Sequence, residues 1–320
     1  MQTPTQVLNI GADVGKDEIV VACSEGSFPV RKLVNNRTVL RAFLKSLPLG
    51  SRIGMESTGI YHELFASLAH KLGFIVYVLN PKDVSHYAKG VGRRGKTDCM
   101  DAELIARMLS KEYADLHAWV PPTPEQREIS RLLRRRAKLS SLRQALGMSL
   151  KGMVGFSTDL KTLRQRFDHL IARIDQRIKV LIEANPERKE HVKHLRTITG
   201  VGPVVSAALV NSLERIPLKS ADAFVAFTGL DPRPDESGQH QGKRRLSKRG
   251  PSELRRLLYL AAMSAKKTKA WKPIFEKYRA KGLSTTACFV ILARRIARTA
   301  WSMYTYKTEF DPGRLTKGLT

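Results

Sequence analysis

Cysteine is scarce in this chain. Cys23, Cys99 and Cys288 are the only three in 320 residues. Their odd number and lack of metal-type spacing exclude a disulfide framework and a zinc module, leaving reduced, neutral thiols in a cytosolic setting. Long apolar runs are also missing. No stretch approaches the roughly 20 residues of a membrane span, and the N-terminus has no signal-peptide h-region, so the expectation is a cytoplasmic protein with no membrane partner. No internal repeat or low-complexity tract interrupts the chain. Negative charge is the third scarcity: 29 Asp and Glu face 56 Lys and Arg, a net charge of +27. Such an excess points to a polyanion, usually nucleic acid; the plain alternative is a solubilising basic surface.

Because acids are few, their placement is informative. Asp13 closes the apolar run 7–12, Glu56 closes Arg52-Ile53-Gly54-Met55, and Asp98 and Asp101 open a helical pattern after Lys96-Thr97. Short β-type runs at 7–12, 18–24 and 28–34, with turn residues between them, predict an antiparallel meander. A helical face over 38–47, a strand at 52–56, a helix over 60–72, a strand at 74–79 and a helix over about 98–110 follow. The order βββαβαβα is that of the RNase H-like fold, which carries acids on its first strand, at the end of its fourth and on a final helix. Asp98 and Asp101 share one helical face, in the first turn where acids suit the helix dipole. Four hard carboxylates suit Mg²⁺, and two such ions ~3.5–4 Å apart can clamp the attacking and leaving oxygens of a phosphoryl transfer. Taken singly, Asp13 also reads as a turn former and Asp98 or Asp101 as a helix cap. Glu56, ending an apolar strand, is harder to explain that way.

The stretch 89–96 is a basic, glycine-interrupted loop with Lys89, Arg93, Arg94 and Lys96, suited to phosphate; its glycines do not make a Walker motif. The Pro-rich stretch 119–124 marks a boundary, and the expected domains are 1–115, 116–190 and 191–320. Two Arg-rich amphipathic segments, joined near 152–155, predict a long helical hairpin or coiled-coil arm. Such an arm can pair with another copy or lie along a nucleic-acid backbone; a solvated charged face is the plain alternative. The stretch 197–207 reads as a helix-hairpin-helix, whose Gly200 and Gly202 would offer backbone N–H groups to phosphate. Further on, Ser237 sits in Glu236-Ser237-Gly238, followed by Lys243, Arg244, Arg245, Lys248 and Arg249. A serine beside five cations can attack a phosphodiester while the cations offset charge on the phosphate oxygens; a turn serine in a surface loop is the alternative. Most of the tail aromatics Trp271, Phe275, Tyr278, Phe289, Trp301, Tyr304 and Tyr306 read as core rather than base-stacking platforms.

Asn9-Ile10-Gly11-Ala12-Asp13-Val14-Gly15-Lys16, Met55-Glu56-Ser57-Thr58-Gly59 and Lys96-Thr97-Asp98-Cys99-Met100-Asp101-Ala102 together resemble the DEDD transposases of bacterial insertion sequences. Ile198-Thr199-Gly200-Val201-Gly202-Pro203, Gly229-Leu230, Glu236-Ser237-Gly238 and Ser247-Lys248-Arg249-Gly250 extend that resemblance over nearly the whole chain. The family includes the Piv-type DNA invertases and the bridge-RNA-guided serine recombinases. The resemblance implies an α/β plus α chain: an RNase H/RuvC-like domain, the helical arm and a mainly helical C-terminal transposase domain. It implies that Asp13, Glu56, Asp98 and Asp101 hold Mg²⁺, with Mn²⁺ as a substitute, and that the serine matching Ser237 bonds covalently to DNA. It further implies donor and target DNA, an element-encoded guide RNA, and a dimer that assembles to a tetramer at the bacterial nucleoid. Two other readings differ in class: a RuvC-like endonuclease that uses water, and a non-catalytic nucleic-acid-binding protein with structural acids.

Overall fold

The computed structural model describes residues 7–316 except 58, 96, 217, 234, 235, 238, 239 and 243. The chain divides into two units, Met1–Pro121 and Pro122–Thr320. The first unit runs β1 (Asn9–Val14), β2 (Glu18–Cys23), β3 (Arg31–Val34), α1 (Arg37–Lys45), β4 (Arg52–Glu56), α2 (His62–Lys71), β5 (Ile75–Leu79), α3 (Pro81–Gly90) and α4 (Asp98–Glu112). Its sheet has the order β3-β2-β1-β4-β5. The β1–β2 and β2–β3 pairs are antiparallel, whereas β1–β4 and β4–β5 are parallel. This mixed sheet is the one expected for an RNase H-like domain.

Two details differ from the sequence expectation. Asp13 does not close a run; it lies inside β1, opposite Val20 of β2. Helix α3 is absent from the sequence expectation, which ends a strand at 79 and places no element before the loop at 89. Instead Pro81 takes the first helical turn, where its missing N–H costs nothing, and the Asn80 side chain accepts from Lys82 N at 3.0 Å. Lys89 is therefore helical.

Alternation along the strands sorts the two faces. Ile10, Ala12, Val14, Ile53 and Met55 bury against Leu40, Phe43, Leu44, Phe65 and Ala66 of α1 and α2. On the opposite face Val20 and Ala22 cluster with Ala102, and Tyr77 and Leu79 with Leu104, Ile105 and Leu109, all from α4. At the start of β1, Glu25 accepts from the Asn9 amide at 3.0 Å, from Asn9 Nδ2 at 2.6 Å and from Cys23 Sγ at 3.1 Å. Partial burial alone would raise the Glu25 carboxyl, but these donors and Ser24 outweigh it and hold its pKa at about 2. Burial and the bond to Glu25 push the Cys23 thiol up, which keeps it neutral.

The second unit begins with α5 (Pro124–Ser149) and α6 (Ser157–Glu183), then α7 (Pro186–Leu195), α8 (Pro203–Leu213) and α9 (Ala221–Thr228). Four two-residue strands follow: β6 (Pro232–Arg233), β7 (Glu236–Ser237), β8 (His240–Gln241) and β9 (Arg245–Leu246). Helices α10 (Ser252–Ala265), α11 (Lys272–Ala280), α12 (Thr285–Tyr306) and α13 (Gly313–Thr316) complete it. A capping box between Thr123 and Gln126 starts α5, so the proline-rich boundary also starts a helix. Helices α5 and α6 pack antiparallel. At their base Arg188, 5% exposed, donates to Glu214 at 2.9 Å and Gln126 donates to the same carboxylate, tying α5, α7 and α8 together. Trp271, Phe275, Phe289 and Trp301 are buried, as the helical spacing suggested, while Tyr306 is 64% exposed.

Candidate active site

Strands β1 and β4 are parallel neighbours with Gly11 opposite Gly54 and Ala12 opposite Met55, so Asp13 and Glu56 come next, side by side. Residues two apart on a strand share a face. Asp13 and Glu56 therefore lie on the face of Gly11 and Gly54, and that face carries α4. The approach is close: a Cβ at Gly11 would overlap the Ala102 carbonyl oxygen and the Ala106 nitrogen, and one at Gly54 would lie 3.1 Å from Ile105 Cγ2. Glycine is what lets the helix lie on the strands. Thr97 caps α4, accepting from Met100 N at 3.2 Å, and so places Asp98 and Asp101 in its first turn. The fold thus brings all four acids to one face of one sheet. Asp13, Glu56 and Asp101 are half-buried and Asp98 is exposed.

Four carboxylates fit a hard divalent cation by donor chemistry and by strand and helix position. Their side chains are not gathered into a closed cage. Among the described residues no group of three His, Cys, Asp or Glu is placed to hold a metal ion. Asp101 instead pairs with Arg93, Nη1 to Oδ1 at 3.3 Å, with both side chains largely buried. Sequence reasoning put Arg93 with the phosphate ligands; it did not foresee this pairing, which no spacing rule announces. Arg94 is exposed nearby, and Lys96 lies outside the described residues.

In the second unit the predicted Gly-x-Gly turn lies between α7 and α8. Gly200 takes a φ of +97°, and a Cβ there would stand 2.7 Å from Ala265 Cβ of α10, so that glycine serves helix packing. Gly202 caps α8 and its missing side-chain position faces open space. Ser237 sits in β7, opposite His240 of β8. The segment that carries it is closed at its base by β6 and β9, through Pro232 opposite Leu246 and Arg233 opposite Arg245. Below that pair, Ser247 N donates to Asp231 O at 3.0 Å and the Ser247 hydroxyl bonds the Asp231 carboxylate. Arg255 donates to Thr228 O at 3.1 Å and Gly250 O at 2.6 Å, and burial lowers its pKa. Lys248, with φ of +52°, directs its amide to Gly229 O. Arg244, Arg245 and Arg249 are exposed, and Lys243 lies outside the described residues. Asp231 is thus the partner of a buried serine.

Two family models match. One, the transposase model of the DEDD IS110 type, covers residues 10–158. The other, described as Transposase IS116/IS110/IS902 family, covers residues 192–279. The two matches follow one another along the chain, which is thus similar to the IS116/IS110/IS902 transposases. It is 27% identical to the transposase for insertion sequence element IS1328 of Yersinia enterocolitica, over 94% of this chain and 98% of that one. It is also 27% identical to the pilin gene-inverting protein of Moraxella bovis, over 80% and 81% of the two chains. A probable family 20 transposase of Pseudomonas aeruginosa is 26% identical over 87% of this chain and 90% of its own length. These similarities support an enzyme of DNA cleavage and rejoining. No helix of the described residues is long and apolar enough to cross a membrane.

Proposed function

We propose that this chain exchanges DNA strands through a phosphoserine link at Ser237, with Asp13, Glu56, Asp98 and Asp101 holding divalent metal, Mg²⁺ by preference and Mn²⁺ as a substitute. The observation that carries the reading is that Asp13 and Glu56 lie side by side on the sheet face that α4 covers, with Asp98 and Asp101 in the first turn of that helix, in a chain similar to these transposases. When bound, the metal supplies charge neutralisation and orientation at the phosphate oxygens. Ser237 Oγ attacks phosphorus and gives up its proton, while the bond from phosphorus to a deoxyribose oxygen breaks and that oxygen leaves as a hydroxyl. A hydroxyl of the exchanged strand then attacks the phosphoserine, and Ser237 regains its proton. No water enters, so each bond broken is replaced by one made. Arg94, Lys96, Lys243, Arg244, Arg245, Lys248 and Arg249 contact phosphate, as do the amides around Gly200 and Gly202 in a helix-hairpin-helix role, while Arg93 stays with Asp101.

On this reading 1–115 is the RuvC-like metal domain, 116–190 a coiled-coil arm and 191–320 the serine-bearing domain. The arm joins protomers as a dimer that assembles to a tetramer on donor and target DNA, and an element-encoded guide RNA supplies sequence choice. The net charge of +27 supports two nucleic-acid partners at once, and a place at the nucleoid in the bacterial cytoplasm. The test is incubation of wild type, Ser237→Ala and Asp13→Ala with DNA and Mg²⁺, followed by a denaturing gel. Wild type is expected to give a protein–DNA adduct and both variants none. An adduct that persists in Ser237→Ala removes the serine from the mechanism, and cut, unligated ends indifferent to Ser237 favour water. Sequencing RNA that co-purifies with the protein tests the guide.

A further inference from the structure

Helices α5 and α6 face each other across an antiparallel ladder of ion pairs. Arg177 donates to Glu128 at 2.7 Å and Arg136 to Asp175 at 2.5 Å. Arg143, seven residues beyond Arg136, pairs with Asp168, seven residues before Asp175. Four residues further along each helix the next rung falls on Gly147 and Arg164. Here the acid is absent. A Cβ at Gly147 would land on Arg164 Nη2, so the guanidinium lies across the backbone of α5 in the space a side chain would take. Arg164 and the neighbouring Lys151 make no ion pair among the described residues, and both are exposed. Together with Arg143, Gln144 and Ser140 they line an open cleft of about 740 Å³.

We propose that this cleft binds a nucleic-acid backbone, a phosphate taking the place of the acid that the last rung lacks. Exposed arginines on helices are mostly solvated. Arg164 differs because the other arginines of the ladder each have a carboxylate, and a glycine opens the room that its own partner would fill. A guanidinium fork matches phosphate as it matches carboxylate, through two parallel N–H···O bonds. Arg143 keeps Asp168 and shapes the wall, while Lys151 adds a mobile point charge. The inference needs only a chain that acts on nucleic acid; it does not depend on Ser237 or on metal.

The test is the slope of log affinity against log salt for the full chain, on random-sequence duplex DNA and on single-stranded RNA. Arg164→Ala and Lys151→Ala are each expected to flatten the slope by about 0.9 on duplex or about 0.7 on single strand, and to weaken all sequences alike. The nucleic acid whose slope changes is the one seated in the cleft. Gly147→Asp supplies the missing acid: it is expected to reproduce the loss seen in Arg164→Ala with no fall in melting temperature. Arg136→Ala, which breaks a complete rung, is expected to lower the melting temperature and leave the slope alone. Unchanged slopes on both nucleic acids in Arg164→Ala and Gly147→Asp overturn the proposal, as does a loss in Arg164→Ala that only tracks melting temperature. Because no strand is cut in this measurement, a missing adduct in the Ser237 experiment leaves the result intact.

Discussion

Asp13, inside β1, and Glu56, at the end of β4, lie on two parallel strands whose other residues are mostly buried, and two facing glycines bring α4 onto the same face. Ser237, by contrast, stands in a two-residue strand paired with another of two residues, in a segment whose base is held by hydrogen bonds around Asp231, Ser247 and Arg255. Close packing fixes the acid positions through dispersion contacts spread over a whole core, which responds to changes of a single methylene. The serine position is fixed by a few directional bonds at one junction. A change at the acid face is therefore felt throughout its unit. A change at the junction stays local, affecting how the serine is presented before it affects folding.

The largest expected effect comes from Gly11→Val. The added side chain meets the Ala102 backbone, which cannot yield as a flexible side chain can. Overpacking of that kind is expected to cost about 3 kcal/mol or more and to lower the first unit's melting transition by roughly 10 °C. Calorimetry of the full chain measures it. A Gly11→Val chain that melts like wild type would show that the helix–strand approach is not what holds the acids. Ser247→Ala should act more modestly. Loss of the buried hydroxyl removes one donor from Asp231, a cost of about 1–3 kcal/mol, seen as a drop of roughly 3–6 °C in the second unit. The yield of the Ser237 adduct is expected to fall further than this shift explains. Should Ser247→Ala melt the unit as drastically as Gly11→Val does, the contrast between packed and tied positions collapses.

Much of the acid face is legible in sequence because alternation and helix capping are local signals. Asp13, Glu56 and the Thr97-capped pair fall where strand period and N-cap chemistry put them. The burial of Trp271 and Phe289 follows from helical spacing for the same reason. What sequence does not show depends on partners distant along the chain. The Arg93–Asp101 pair crosses a glycine-containing loop, and a run of cations reads as phosphate contact until one of them is seen against a carboxylate. Asp231 and Ser247 are separated by a whole loop, so neither reads as the other's partner. Helix α3 was hidden because proline serves equally as a strand end and a first helical turn.

The smallest expected effect concerns the far end of β1, where hydrogen bonds rather than packing hold a strand of the otherwise packed unit. Glu25 has a folded pKa of about 2 against an ordinary value of 4.5, because the Asn9, Ser24 and Cys23 donors outweigh partial burial. A carboxyl depressed on folding contributes stability that is fully present above its unfolded pKa and is lost as pH falls through the folded value. Its contribution is thus expected to be complete near neutrality and to fade between about pH 4.5 and about pH 2. Glu25 is exposed, so solvent screening limits the effect to about 1 kcal/mol or less. Melting of wild type and Glu25→Gln across that range measures it: the two curves should be separated at neutral pH and converge in acid. Curves that stay parallel down to pH 2 would mean that this corner, like the acid face, is held by packing, with the carboxylate adding nothing to it.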